Sequence, residues 1–268
     1  MKKKLALILS LFVMLALACN LSSAPASQAP GNTPQGNPNQ PANPPSNPQP
    51  AGTPSANPVS LNEGLASLNS YQMTINYKST GPDPSESSTT RMEMQRSNAQ
   101  DTRYIHYTES SVKAGGGDPS NTESTVYKIG KDECDGSGTD WNWATQTPNQ
   151  AEMTELIRNM LSLTPLIDNP TFVAPETVNG IATNHFTFKV QGLGVKSGAA
   201  VDADQGDYWL AVDGQYIVKY NLVLQTSMGP EVDVIHEEIS IELTQVNQPV
   251  NIAFPQTCLD ASKVTPTP

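Results

Sequence analysis

An uncharged, proline-rich stretch limits how much of this 268-residue chain can fold. No charged residue occurs between Lys4 and Glu63, and residues 20–58 contain 11 of the 23 prolines. The rest of this stretch is mostly Asn, Ala, Ser, Gln, Gly and Thr, which bury too little apolar surface to offset the entropy lost on ordering. We therefore expect residues 19–58 to form a disordered, partly extended tether and the folded part to begin near residue 59.

The residues before the tether have the pattern of an export signal. Three lysines precede an apolar run, residues 5–17, which is shorter than the roughly 20 residues of a membrane-spanning helix. The run ends at Cys19 in a sequence that resembles a lipobox, in which the Cys thiol is acylated and the bond before it is cut. Ala16 stands where that motif prefers Leu or Val. The pattern predicts a signal peptide at 1–18 and a lipid on Cys19 that anchors the protein to the extracytoplasmic side of the cell membrane. The alternative is an ordinary signal peptide with an incidental Cys.

Length and charge limit the remaining organisation. Residues 59–260 suit one domain, and residues 261–268 should form a loose tail. The formal net charge of −11 becomes more negative once the three leader lysines are removed. An acidic chain argues against nucleic acid and against a polybasic contact with anionic lipid. We expect a monomer whose contact with the membrane is the N-terminal lipid.

Two cysteines remain in the expected mature domain, Cys134 and Cys258. In an exported protein with only these two further thiols, a disulfide between them is the leading hypothesis. The alternative is two separate buried thiols. A disulfide would tie the end of the domain to a central loop.

Hydrophobic periodicity predicts two helices and many strands. Leucines 61, 65 and 68 repeat at helical spacing, and a second helix follows Thr147, with Pro165 as its stop. Elsewhere apolar and polar residues alternate as in antiparallel strands, with tight turns at Asn179-Gly180 and Asp213-Gly214. The last two predicted strands, 216–226 and 232–246, are long, which favours a strongly twisted or curved sheet.

Three segments, residues 176–188, 207–220 and 247–255, carry a resemblance to a known family. Their hairpin and strand-end patterns, with the predicted strand order, are similar to the LolA/LolB-like fold, and especially to lipoproteins of the LppX/LprG type. The resemblance implies an α+β domain with a single curved antiparallel sheet, an unclosed half-barrel, and helices across its concave face. In members that carry lipid, the space between sheet and helices holds acyl chains.

If this domain has such a cavity, its lining should be apolar and adaptable. Methionine suits a surface that accepts variable apolar shapes. The candidate lining residues are Met73, Ile75, Met92, Met94, Tyr107, Met153, Leu156, Ile157, Met160, Leu161, Phe186, Phe188, Leu222 and Leu224. The first hypothesis is a lipoprotein that binds or carries a lipid or other hydrophobic ligand in this cavity. The alternative is an envelope lipoprotein with a packed core that acts through protein or cell-wall contacts.

Patterns typical of catalysis or metal binding are weak. The three histidines, His106, His185 and His236, lie in strand patterns and lack the spacing of a zinc site. The acidic segments 132–136 and 202–207 depart from the spacing of a calcium loop, and we interpret them as solvated turns. We find no nucleophile elbow and no phosphate-binding loop. The sequence therefore predicts a protein that is not an enzyme, with no catalytic residue, no cofactor and no metal site.

Overall fold

The computed structural model describes residues 61–83, 85–145, 168–189, 200–227 and 234–264. The predicted second helix falls outside these ranges. Five of the candidate lining residues lie outside them for the same reason, namely Met153, Leu156, Ile157, Met160 and Leu161.

Two helices and eleven strands make up the described part of the chain. The helices are α1 (Leu61–Ala66) and α2 (Gln256–Val264). The strands are β1 (Ser70–Thr80), β2 (Ser87–Ser97), β3 (Thr102–Val112), β4 (Ser120–Ile129), β5 (Asp132–Ser137), β6 (Asp140–Thr145), β7 (Asp168–Val178), β8 (Ile181–Lys189), β9 (Ala200–Ala211), β10 (Ile217–Ser227) and β11 (Val234–Thr244). Most strands carry the alternating pattern that predicted them.

These strands form one antiparallel sheet, in the order β6-β5-β4-β3-β2-β1-β11-β10-β9-β8-β7. Strand β1 lies at the centre and pairs with β2 on one side and with β11 on the other. The chain therefore meanders outwards to β6 and later returns from the opposite edge, β7, to the centre. The sheet is an open half-barrel, which confirms the predicted fold class.

Two acidic segments form strands where the sequence suggested turns, and a third strand contains prolines and was not predicted. Segment 132–136 lies in β5, and segment 202–207 lies in β9, so the prediction of two acidic loops is wrong. Strand β7 was not predicted at all, and it contains Pro170 and Pro175. Proline is tolerated there because β7 is an edge strand. Pairing with a neighbouring strand outweighs weak local preference in all three segments.

Side chains alternate between the two faces of the sheet, and one face is apolar. We use the term apolar face for the side of the sheet that carries a row of residues running across the strands, in which each residue is the cross-strand partner of the next. In order from β7 to β3 this row is Phe172, Phe186, Tyr208, Tyr220, Ile241, Ile75, Met92 and Tyr107. Leu65 and Leu68, in and just after α1, belong to the same buried cluster as these side chains. The opposite side we call the polar face.

Helix α2 is held on the polar face. Cys134 of β5 pairs with Tyr127 of β4 and therefore points away from the apolar face. A disulfide joins Cys134 to Cys258 of α2, as the sequence predicted, and both residues are fully buried. Cys134 lies in a strand rather than in the expected loop. The helix continues to Val264, past residue 260, where the sequence placed the end of the domain.

Candidate functional site

Nine of the fourteen predicted lining residues lie in the described ranges, and the structure brings all nine to the apolar face. Eight are buried, and Tyr107 packs against them while remaining half-buried. The eight are Met73, Ile75, Met92, Met94, Phe186, Phe188, Leu222 and Leu224. They belong to one continuous hydrophobic cluster, so the periodicity that defined the strands also identified this face. Whether they contact a ligand remains a prediction.

The aromatic residues at the β8–β10 end of this face stack closely. The rings of Phe186 and Tyr208 are nearly parallel, with centroids 5.1 Å apart, and the ring of Phe188 lies 5.4 Å from that of Tyr220. Both Phe residues were predicted from the sequence to line the cavity, whereas the two Tyr residues were not. Their alternation with polar neighbours on β9 and β10 was the signal that could have found them.

Tyr220 carries an unusual polar group into this apolar surface. Its side chain is 1% exposed, and its hydroxyl has no hydrogen-bond partner in the described part of the protein. Burial raises the pKa of Tyr220, so the phenol stays protonated and can donate. A buried hydroxyl without a partner costs about 1–3 kcal/mol, which calls for a structural explanation.

A second polar group, the carboxylate of Glu237, is buried next to the apolar row. Tyr77 donates a hydrogen bond of 2.5 Å from its hydroxyl to Oε1 of Glu237, which is only 6% exposed. Burial, followed by the charge of Glu237, raises the pKa of Tyr77. Neither residue was identified from the sequence, because a lone Glu in an alternating strand resembles a solvent-facing position. The pair marks the polar limit of the apolar face at this end of the strands.

A network of charged and aromatic side chains ties four strands together on the polar face. The ring nitrogens of His185 lie 2.9 Å from Glu176 Oε1 and 3.0 Å from Asp207 Oδ1. The imidazole stacks on Trp209 at 4.3 Å, and the ammonium of Lys219 lies 4.9 Å from the centroid of the same indole. Every member of the network contacts another member. We therefore infer that the network stabilises the pairing of these four strands.

This network makes stability depend on pH. The indole N–H of Trp209, 2.8 Å from Glu176, and then the His185 contact lower the pKa of Glu176. A lowered pKa means that the stabilisation is present above the ordinary value and lost as the pH falls through the folded-state value. As the pH is lowered from about 5 to about 3, we expect the midpoint temperature of thermal unfolding to decrease. Glu176→Gln should make this decrease smaller.

The control for the pH dependence of the thermal midpoint is Asp118→Asn, since Asp118 is exposed in the loop between β3 and β4. Its pH profile should match that of the unchanged protein. Thermal unfolding followed by circular dichroism at several pH values measures both variants. A Glu176→Gln profile that also matches the unchanged protein would show that this carboxylate does not couple folding to pH.

A groove of about 840 Å³ crosses six neighbouring strands, from β4 to β10. Three consecutive residues of each strand contribute to it, and Leu222 is the only predicted lining residue among them. On each strand the two outer residues of the three belong to the polar face, as Arg91 and Glu123 do, and the middle residue belongs to the apolar face, as Tyr77 and Leu222 do. This groove could not be predicted from the sequence, because its residues are spread over strands that are distant along the chain.

Two further features concern metal binding and membrane spans. Within the described ranges, no three His, Cys, Asp or Glu side chains are grouped so that they could hold a metal ion. In the same part of the chain, no helix has the length and apolar character needed to cross a bilayer.

Comparison with known proteins gives distant matches. No family model matches the chain, and no curated protein matches it. Among solved structures it is similar to LprF from Mycobacterium bovis, at 11% identity and a TM-score of 0.34, over 73% of this chain and 93% of that one. It is also similar to the Pseudomonas aeruginosa MucA/MucB complex, at 12% identity and a TM-score of 0.29.

In that second match the alignment covers 73% of this chain and 57% of the other. A third match is a DUF1329 family protein from Desulfovibrio piger, at 8% identity and a TM-score of 0.21, over 72% of this chain and 95% of that one.

Proposed function

We propose that this protein is a lipoprotein of the cell envelope, anchored through Cys19, whose apolar face binds a lipid or another hydrophobic ligand. The observation that carries the proposal is the apolar row, which continues in register across eight neighbouring strands from Phe172 to Tyr107. Most of these side chains are already buried within the protein, so an extended acyl chain would lie between this side of the sheet and the part of the protein that covers it.

The composition of this face supports an adaptable binding surface. Met73, Met92 and Met94 lie side by side on β1 and β2, with Met73 paired directly to Met94. Methionine is unbranched and polarizable, so it can adjust to ligands of different shape. Phe and Tyr rings provide the more rigid part of the same face on β8 to β10. A flexible half beside a rigid half suits a chain-like ligand better than a compact one.

The Tyr220 hydroxyl supports a ligand that carries an acceptor among its apolar atoms. An acyl ester has a carbonyl oxygen next to its hydrocarbon chain, and this oxygen could accept a hydrogen bond from Tyr220, for which the described residues provide no acceptor. Anchoring through Cys19 would keep the domain close to a membrane, where acylated ligands are found. The proposed ligand class is therefore acyl esters, the chemistry of most membrane lipids.

Uptake of a fluorescent acyl ester by delipidated protein tests the proposal. We expect saturable fluorescence enhancement that an unlabelled ester displaces. Tyr220→Phe should weaken this binding by roughly threefold to tenfold, because one hydrogen bond is lost. The same variant should unfold at a slightly higher temperature without ligand, because the unpaired hydroxyl is gone.

Tyr216→Phe is the matched control, since Tyr216 is also buried but lies outside the apolar row. It should bind the ester as the unchanged protein does. Absence of saturable uptake would refute lipid binding. Equal affinity of the Tyr220→Phe variant and the unchanged protein would refute the role of the hydroxyl while leaving the binding itself intact.

A further inference from the structure

Three large aromatic side chains lie together on the polar face, away from the apolar face. Tyr104 of β3 and Tyr127 of β4 are cross-strand partners, with ring centroids 5.1 Å apart. Trp141 of β6 follows at 6.2 Å from Tyr127. All three rings are half-buried, so each presents part of its surface to solvent. We call these residues the aromatic ladder.

The ladder is held rigidly before any ligand arrives. Trp141 is the cross-strand partner of Gly136, and a Cβ at position 136 would stand 3.0 Å from the indole atom Cδ2. The indole therefore lies over the bare backbone of β5, where no side chain competes with it. Its N–H donates to the carbonyl of Gly138 at 3.0 Å, which fixes the ring orientation. A fixed ring loses little entropy on binding.

Hydrogen-bonding groups border the ladder on the same face. His106 lies next to Tyr104 in this alternation and contacts Thr125 Oγ1 at 3.1 Å through Nδ1. Its other nitrogen lies 3.8 Å from Glu123, whose side chain is 64% exposed. Glu123 is the cross-strand partner of Thr108, so it lies on the same face as Tyr104 and Tyr127. Rings and polar groups thus form one continuous surface across β2 to β6.

The chemistry of this surface selects among ligands. Glu123 and Glu93 both lie near Tyr104. Glu93 is paired with Arg91 at 2.6 Å, so Glu123 supplies the negative charge that disfavours anionic polymers. The Trp141 N–H already donates to Gly138, so it is not available for the carbonyl groups of a proline-rich peptide. Carboxylates accept hydrogen bonds, and ring faces pack against apolar C–H groups. A sugar ring offers hydroxyl donors at its edge and C–H groups on its face.

We propose that the aromatic ladder, together with Glu123 at its border, binds a neutral glycan chain, with sugar rings stacked on Tyr104, Tyr127 and Trp141 and sugar hydroxyls donating to Glu123. This activity is separate from lipid binding on the apolar face, because the two surfaces lie on opposite sides of the sheet. A lipid-anchored protein with such a surface could contact an envelope polysaccharide while its apolar face stays available for a hydrophobic ligand.

Electrophoresis of the full chain in native gels tests the proposal. The gels contain either of two neutral polysaccharides, mannan or mixed-linkage β-glucan, or the anionic polysaccharide alginate. We expect retardation in at least one neutral gel and none in alginate. Tyr127→Leu should weaken the retarding interaction about tenfold, whereas Tyr127→Phe, which keeps the ring, should retain most of it.

A second variant guards against misfolding of the first. Glu123→Ala changes an exposed side chain and should also weaken binding, with an unchanged thermal midpoint. Migration unaffected by both neutral polysaccharides would overturn the proposal, as would equal retardation in alginate. Retardation that persists in both Tyr127→Leu and Glu123→Ala would also overturn it, because binding would then lie elsewhere.

Discussion

Replacing Cys134 and Cys258 together by alanine should lower the free energy of unfolding by about 2–5 kcal/mol. The disulfide joins residues separated by 124 positions, so it removes many conformations from the unfolded chain. It also fastens α2 to β5, and the packing of α2 on β6 is supported by the Trp143–Phe254 contact at 4.6 Å. Chemical denaturation of both proteins measures the difference.

Reductant provides the control for this experiment. A reducing agent added during unfolding should destabilise the unchanged protein and leave the Cys134→Ala/Cys258→Ala variant as it was. Hydrogen exchange should locate the loss of protection first in α2, because the helix loses its covalent link to the sheet. Equal unfolding midpoints with and without the disulfide would contradict the view that it stabilises the domain.

Replacing Gly206 by valine should cost about 3 kcal/mol through overpacking. Gly206 lies in β9 opposite Leu222 of β10 and Phe188 of β8, and a Cβ there would overlap the Phe188 ring. That ring is itself packed against Tyr208 and Tyr220, so it cannot move without disturbing the aromatic part of the apolar face. The Phe188 ring therefore occupies the space that a side chain at position 206 would need.

A double-mutant cycle with Phe188→Ala isolates this effect. Phe188→Ala alone should destabilise the protein by about 3–5 kcal/mol, because it leaves a cavity. The double variant should lose clearly less than the sum of the two single losses, since valine occupies the space that the ring vacates. Strictly additive losses would mean that Gly206 and Phe188 do not share one packing site.

The sequence predicted the sheet well where apolar and polar residues alternate. The alternation of Met73 and Ile75 on β1, and of Met92 and Met94 on β2, placed these residues correctly on one face. The disulfide was predicted from the presence of two further cysteines in a chain whose N-terminal pattern predicts export. These inferences succeeded because they depend on local periodicity and on simple counting.

The features that were not predicted from the sequence depend on pairing between strands that are distant along the chain. Strand β5 has an acidic sequence that contains a glycine, yet it pairs with β4 and β6. The aromatic ladder arises only when β3 and β4 are neighbours and the short strand β5 separates β4 from β6, which no local pattern reveals. The buried position of Glu237 likewise depends on Tyr77, 160 residues away in the chain. Sequence periodicity cannot show which strands will be neighbours.

Mass spectrometry of solvent extracts from the purified protein directly tests the claim that the apolar face binds lipid. We expect acyl esters to be released in near-stoichiometric amounts, and the Tyr220→Phe variant to release less of them. The matched Tyr216→Phe variant should release the same amount as the unchanged protein. Extracts free of acyl lipid, combined with a domain that keeps the same stability after extraction, would contradict the claim and favour a packed core.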